Sequence, residues 1–137
     1  MELEAWTAAL AALDSSARFF ADCDVIDLSF TGGDTIEVYV AVSPEQQSRG
    51  LSEVSMLDLD VAGMLFCFAG PTYTAFTVEK MMIDLDIAWY DENGVRVKAC
   101  RAQAGTPGHL LCPESFTYVV ETPAGQLPAG DLVLSRG

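Results

Sequence analysis

Twenty acidic side chains against seven basic ones give this 137-residue chain a formal charge of −13, a field that repels phosphate backbones and excludes a nucleic-acid partner. Half the residues are apolar and a fifth are charged, the composition of a packed domain and not of a disordered tail. No apolar run approaches the roughly 20 residues of a bilayer-crossing helix, and Met1–Trp6 lacks the basic start and apolar stretch of a secretory leader. A cytoplasmic protein with no membrane partner is expected, a virion being the other setting.

The first predicted element is a helix. Leu3, Trp6, Leu10, Leu13, Ala17 and Phe20 recur at alternating steps of three and four, which draws one apolar stripe along a helical surface. The stripe packs either on the domain's own sheet or, through Leu3, Trp6, Leu10, Leu13 and Phe20, on a partner helix. Residues 1–24 are therefore set apart as an N-terminal helical segment, and 25–137 as the main domain.

After Cys23 the period changes to two. Ile26, Leu28 and Phe30 alternate with polar residues, Thr31-Gly32-Gly33-Asp34 supplies a turn, and Ile36, Val38, Val40 and Val42 resume on one face, which predicts a hairpin. Ser43-Pro44-Glu45-Gln46 has a capping serine, proline at the first helical position and glutamine three residues after the cap, a capping box opening a two-turn helix that stops at Gly50. Gly63–Phe68 is a continuous apolar run closed by Gly70-Pro71, as in a strand covered on both faces. Leu85, Ile87 and Trp89 lead into Asp91-Glu92-Asn93-Gly94, a turn with Asn-Gly at its centre, and Val95, Val97 and Ala99 follow it. Residues 102–114 read as a loop, and 116–121 and 132–134 as late strands. Seven or so short strands with turns between them predict a mainly β single domain, a barrel or a jelly-roll-like sandwich with an N-terminal helix and one short helix.

The order of motifs resembles the family named domain of unknown function 192. The resemblance runs over residues 34–134 and is carried by Ser43-Pro44-Glu45-Gln46 with Arg49-Gly50-Leu51, Gly63-Met64-Leu65-Phe66 with Phe68, Leu85-Asp86-Ile87, Tyr90-Asp91 with Gly94, Cys112, Tyr118-Val119 with Glu121, Pro123-Ala124-Gly125, and Gly130-Asp131. It implies a compact β barrel or jelly-roll-like sandwich. Typical members carry Phe-Trp-Met-Lys-Asn-Thr where this chain has Phe76-Thr77-Val78-Glu79-Lys80-Met81, so a ligand held by that string in the family would meet a reversed charge here. Arg49, Asp86 and Glu121 match family positions. For Glu121 and Arg49, a tie between helix and sheet explains the match as well as a binding site does.

The remaining candidate chemistry is sparse. His109 with Cys100 and Cys112 lacks the tight ligand pairs of a zinc site, and a Cys–His nucleophile pair needs an orienting third group that the spacing does not show. Cys100 and Cys112 could also pair across the Gly/Pro loop. Asp84 and Asp86 share a face if their segment is extended, as a pair able to hold a hard cation or as solvated and structural acids. There is no phosphate loop, Ser-His-Asp set or nucleotide fingerprint. The expectation is a non-enzymatic structural or assembly module without catalytic residues, metal or cofactor. It acts through a protein partner or self-association, docking by the N-terminal stripe or by one sheet edge, for example in decorating a virus capsid. The alternative is a small-ligand-binding domain with a groove near Arg49, Phe76, Glu79, Lys80, Asp86 and Glu121.

Overall fold

The computed structural model describes residues 23–50 and 61–134. The predicted N-terminal helix and its stripe at Leu3, Trp6, Leu10, Leu13 and Phe20 lie outside the described residues. Within them the mainly β expectation is met by seven strands and one short helix. They are β1 (Asp24–Phe30), β2 (Thr35–Ala41), α1 (Pro44–Arg49), β3 (Gly63–Thr72), β4 (Leu85–Tyr90), β5 (Arg96–Ala102), β6 (Phe116–Pro123) and β7 (Leu132–Val133).

The strands form one sheet in the order β5-β4-β6-β3-β2-β1-β7. All neighbours are antiparallel except β2 and β3, which run parallel and so need the long crossover that carries α1. The sheet curls strongly. Four strand spacings separate β4 from β1, about 19 Å if the sheet were flat, yet the rings of Tyr90 and Phe30 lie 6.5 Å apart. That face is concave, and it holds Leu28, Phe30, Val38, Leu65, Ala88, Tyr90, Val120 and Leu132. At one end the two sheet edges meet: Leu132 donates its N–H to the Gly94 carbonyl at 2.8 Å. Asp131 clasps the same corner, its carboxylate accepting from Arg96 N (2.9 Å) and its carbonyl from Thr31 N (2.8 Å).

Both hairpin turns share one design. Gly33 and Gly94 donate back to Phe30 and Asp91 and sit at φ of 105° and 83°, conformations that favour glycine. The sequence puts Asn93-Gly94 at the centre of the second turn, whereas the structure centres it on Glu92-Asn93 and uses Gly94 as the residue after it. The Asp91 carboxylate is the reason: it accepts from Asn93 N and Val95 N at 2.9 Å each and fixes the tighter turn one residue earlier. β3 also outruns its expected stop, continuing through Gly70-Pro71 to Thr72 past a register break against β6.

The convex face is not left to solvent. Tyr39, Ala41, Met64, Phe66, Leu85, Ile87, Trp89, Phe116 and Val119 lie on it, and residues from two loops cover them: Phe76, Val78 and Met81 from the β3–β4 loop and Cys112 from the β5–β6 loop. Strand β4 is thus buried on both faces. Cys67, Cys100 and Cys112 are free thiols, so Cys100 and Cys112 do not pair across the loop.

Candidate functional site

The site lies on the convex face, where α1 and the β3–β4 loop stand side by side over β3 and β6. Helix α1 is too short to hold itself by backbone bonds alone, so its ends are tied. Ser43 Oγ accepts from Gln46 N (3.1 Å) while Gln46 Oε1 accepts from Ser43 N (3.0 Å) and Val42 N (2.9 Å), and Pro44 opens the first turn. Gly50 ends it with φ of 50° and donates to Gln46 O. A β-carbon there would stand 3.4 Å from the Phe66 ring, so the helix end lies directly against β3. Gln47 completes the anchoring by donating from Nε2 to the Cys67 carbonyl at 2.8 Å.

The opposing wall is organised by Phe76. Its backbone exchanges two hydrogen bonds with Leu110 (3.0 and 2.6 Å), which staples the β3–β4 loop to the β5–β6 loop. Its ring meets those of Phe66 (5.2 Å), Phe68 (6.2 Å), Trp89 (6.3 Å) and Phe116 (6.2 Å), three of them edge to face. The one aromatic kept from the family string is therefore the hub of the convex core.

Between these walls is a cavity of about 420 Å³. Pro44, Ser48, Thr74, Ala75 and Thr77 form its exposed rim, and Gly50, Phe66, Phe76, Met81 and Glu121 its buried interior, with Gln47 and Phe68 between. Glu121 is 1% exposed. Register sets it opposite Met64 of β3 and Ile87 of β4, so an acid occupies a strand position flanked by apolar neighbours. Its Oε1 is buried without a hydrogen-bond partner. Burial with nothing to compensate the charge pushes its pKa up to about 8. Gly63 makes this close packing feasible, since a β-carbon there would meet the Glu121 carbonyl oxygen.

The six groove candidates do not gather in one place. Phe76 and Glu121 line the cavity. Arg49 is the last residue of α1, between the lining residues Ser48 and Gly50, and its side chain lies outside the described residues. Glu79 and Lys80 are exposed and absent from the wall; the loop turns them outward while Val78 and Met81 go in. Asp86 neighbours Ile87 on β4 and so points to the other face. There it accepts from Arg101 Nε (2.9 Å), from a second guanidinium nitrogen (3.2 Å) and from Gly125 N (2.8 Å). These donors, Arg101 foremost, hold its carboxyl below the ordinary range. Asp84 precedes β4 and accepts from Ala104 N at 2.8 Å, so the two aspartates serve different loops. Among the described residues no three His, Cys, Asp or Glu side chains cluster as metal ligands, and none of the helices is long and apolar enough to cross a membrane.

Gln47, Ser48, Phe66, Phe68, Thr74, Thr77 and Met81 join the site without having been singled out as ligand contacts. Only the fold shows that a loop and a helix far apart in sequence face each other. One local signal did exist: Glu121 interrupts Phe116–Val120, and alternation sends it to the same face as the buried Val119.

The chain belongs to the family DUF192, described as uncharacterized ACR, whose model matches residues 27–133. No curated protein matches it. Two solved structures share the fold. One, from Sinorhizobium meliloti 1021, is described as "a putative transcription regulator"; it is 24% identical, with 76% of this chain and 82% of that one covered and a TM-score of 0.63. The other, a protein of unknown function from Novosphingobium aromaticivorans DSM 12444, is 19% identical, with 75% and 74% covered and a TM-score of 0.63.

Proposed function

We propose that this member of the DUF192 family is a small-ligand-binding domain whose ligand enters the cavity between α1 and the β3–β4 loop. One observation carries the reading: a carboxyl with an unpartnered oxygen lies buried in the wall of a concave, aromatic-lined space. Orphaned buried polar atoms are rare in folded proteins because each forfeits its hydration, and a bound molecule would restore what the fold withholds. The volume, about 420 Å³, falls in the range of small-molecule sites. Binding without turnover is the reading supported by a described lining in which Glu121 is the single ionisable side chain, since acid–base catalysis is usually run by groups tuned in pairs.

The assembly reading drawn from the sequence rests on the stripe at Leu3–Phe20 or on a sheet edge, and no contact among the described residues bears on it. The cavity reading is tested by a fragment screen followed by amide NMR. Hits are expected to shift the signals of Gln47, Gly50, Phe66, Phe76 and Glu121 together. A screen at millimolar concentration that moves none of these signals, or moves only distant ones, would refute it.

A further inference from the structure

Resting on that reading, the geometry points to the ligand's class: an organic cation, an ammonium on an apolar body, whose N–H groups meet Glu121 while the body lies against Phe66, Phe68 and Phe76. The polar inventory of the cavity favours donors on the ligand. Glu121 Oε1 has no partner. Gln47 commits its amide nitrogen to the carbonyls of Cys67 (2.8 Å) and Ala41 (3.4 Å), which takes its donors away from a ligand. Thr77 Oγ1 accepts from Glu79 N at 3.2 Å, but this leaves a rotatable hydroxyl and no fixed cation at the rim. An anionic ligand would find no positive side chain among the described lining residues, and it would approach a chain of formal charge −13. A cation is drawn in by the same field and then meets the aromatic lining of Phe66, Phe68 and Phe76, side chains able to attract positive charge.

Among the described residues the charged surroundings are few. β3 and β4 present Met64 and Ile87 beside Glu121. α1 carries Glu45, exposed in its first turn, and Arg49. The β3–β4 loop carries Glu79 and Lys80, both exposed, and Asp84, tied to Ala104 N. Burial therefore keeps Glu121 mostly protonated at neutral pH, and a cation that binds displaces that proton to the buffer. Below pH 8 its affinity must fall with the ionised fraction of the carboxyl.

Calorimetry of the full chain with benzylamine, benzyl alcohol and benzoate at pH 6 and pH 8 tests this, since the amine stays charged at both. Benzylamine is expected to bind about 50-fold more tightly at pH 8 than at pH 6, as a carboxyl titrating at about 8 requires. In two buffers of different ionisation heat it should release up to one proton, and Glu121→Gln should abolish both the release and the pH dependence. If benzyl alcohol or benzoate binds as tightly as the amine, with shifts at Gly50 and Phe76, the cation assignment is wrong and the cavity reading survives. Binding of none of the three, with no fragment hits either, overturns both.

Discussion

Replacing Glu121 by glutamine should make the fold more stable at neutral pH, and by an amount that depends on pH in a calculable way. In the unfolded chain this carboxyl titrates near 4.5, and in the folded chain burial raises it to about 8. Below pH 4.5 both states hold the proton and the residue's ionisation contributes nothing. As the pH climbs, the unfolded state gives up its proton while the folded state keeps it, so stability is lost at about 1.4 kcal/mol per pH unit. At pH 7 that amounts to about 3 kcal/mol, and the loss levels off near pH 8 at about 5 kcal/mol. Glutamine does not titrate, although its buried amide brings unpaired donors that subtract a constant of about 1–3 kcal/mol. The diagnostic quantity is therefore the slope. Urea titrations of both chains at pH 5, 6, 7 and 8 should give a stability difference that moves in favour of Glu121→Gln by about 1.4 kcal/mol per unit. Parallel pH profiles would show that Glu121 is ionised in the folded state, and the account of the site would fail with it.

Gly63→Ala should cost 3 kcal/mol or more, roughly the scale of a severe core lesion, because its β-carbon collides with backbone at Glu121; an unchanged thermal midpoint would contradict the packing described. Asp131→Ala removes the acceptor of Arg96 N and should speed hydrogen exchange at Arg96 and Leu132 while leaving β3 and β6 amides protected, so uniform acceleration over the whole sheet would argue against a local clasp. Asp86→Asn should destabilise the fold at neutral pH, and the penalty should shrink as pH drops through and below the usual carboxylate range, because the lowered pKa stabilises only while the group is ionised. Denaturation at pH 3 and 7 checks the direction, and a larger penalty at pH 3 would reverse the assignment.

The strands were legible because each writes its environment into its own residues. Leu28 and Phe30 announce one buried face by alternation, although Ile26 of the same series is exposed, and Gly63–Phe68 announces two by continuity; the structure buries β3 between Met64 and Phe66 on one side and Leu65 on the other. Ser43-Pro44-Glu45-Gln46 specified its cap atom by atom. What the sequence withheld is where the loops go. Phe76 looks like the start of a polar string until the fold places it among four rings. Glu79 and Lys80 adjoin it in the chain but not in the cavity, because a loop, unlike a strand, has no fixed period that dictates which way a side chain points. Asp86 and Glu121 both looked like ligand positions from their match to the family, and strand alternation alone separates them to opposite faces of the sheet.

That separation distinguishes the two acids by what the fold does for them. Asp86 receives hydrogen bonds from Arg101 and Gly125 and binds neighbouring elements together; removing its charge harms the structure. Glu121 receives no partner at Oε1 and makes the folded state less stable at neutral pH than a hydrophobic residue of similar volume would. A sheet already closed at Gly94 and Leu132, and filled on both faces, has no structural use for such a group. On the proposed reading, an acid that weakens its own fold, set where a helix and a loop leave space above it, is accounted for by a ligand that enters that space.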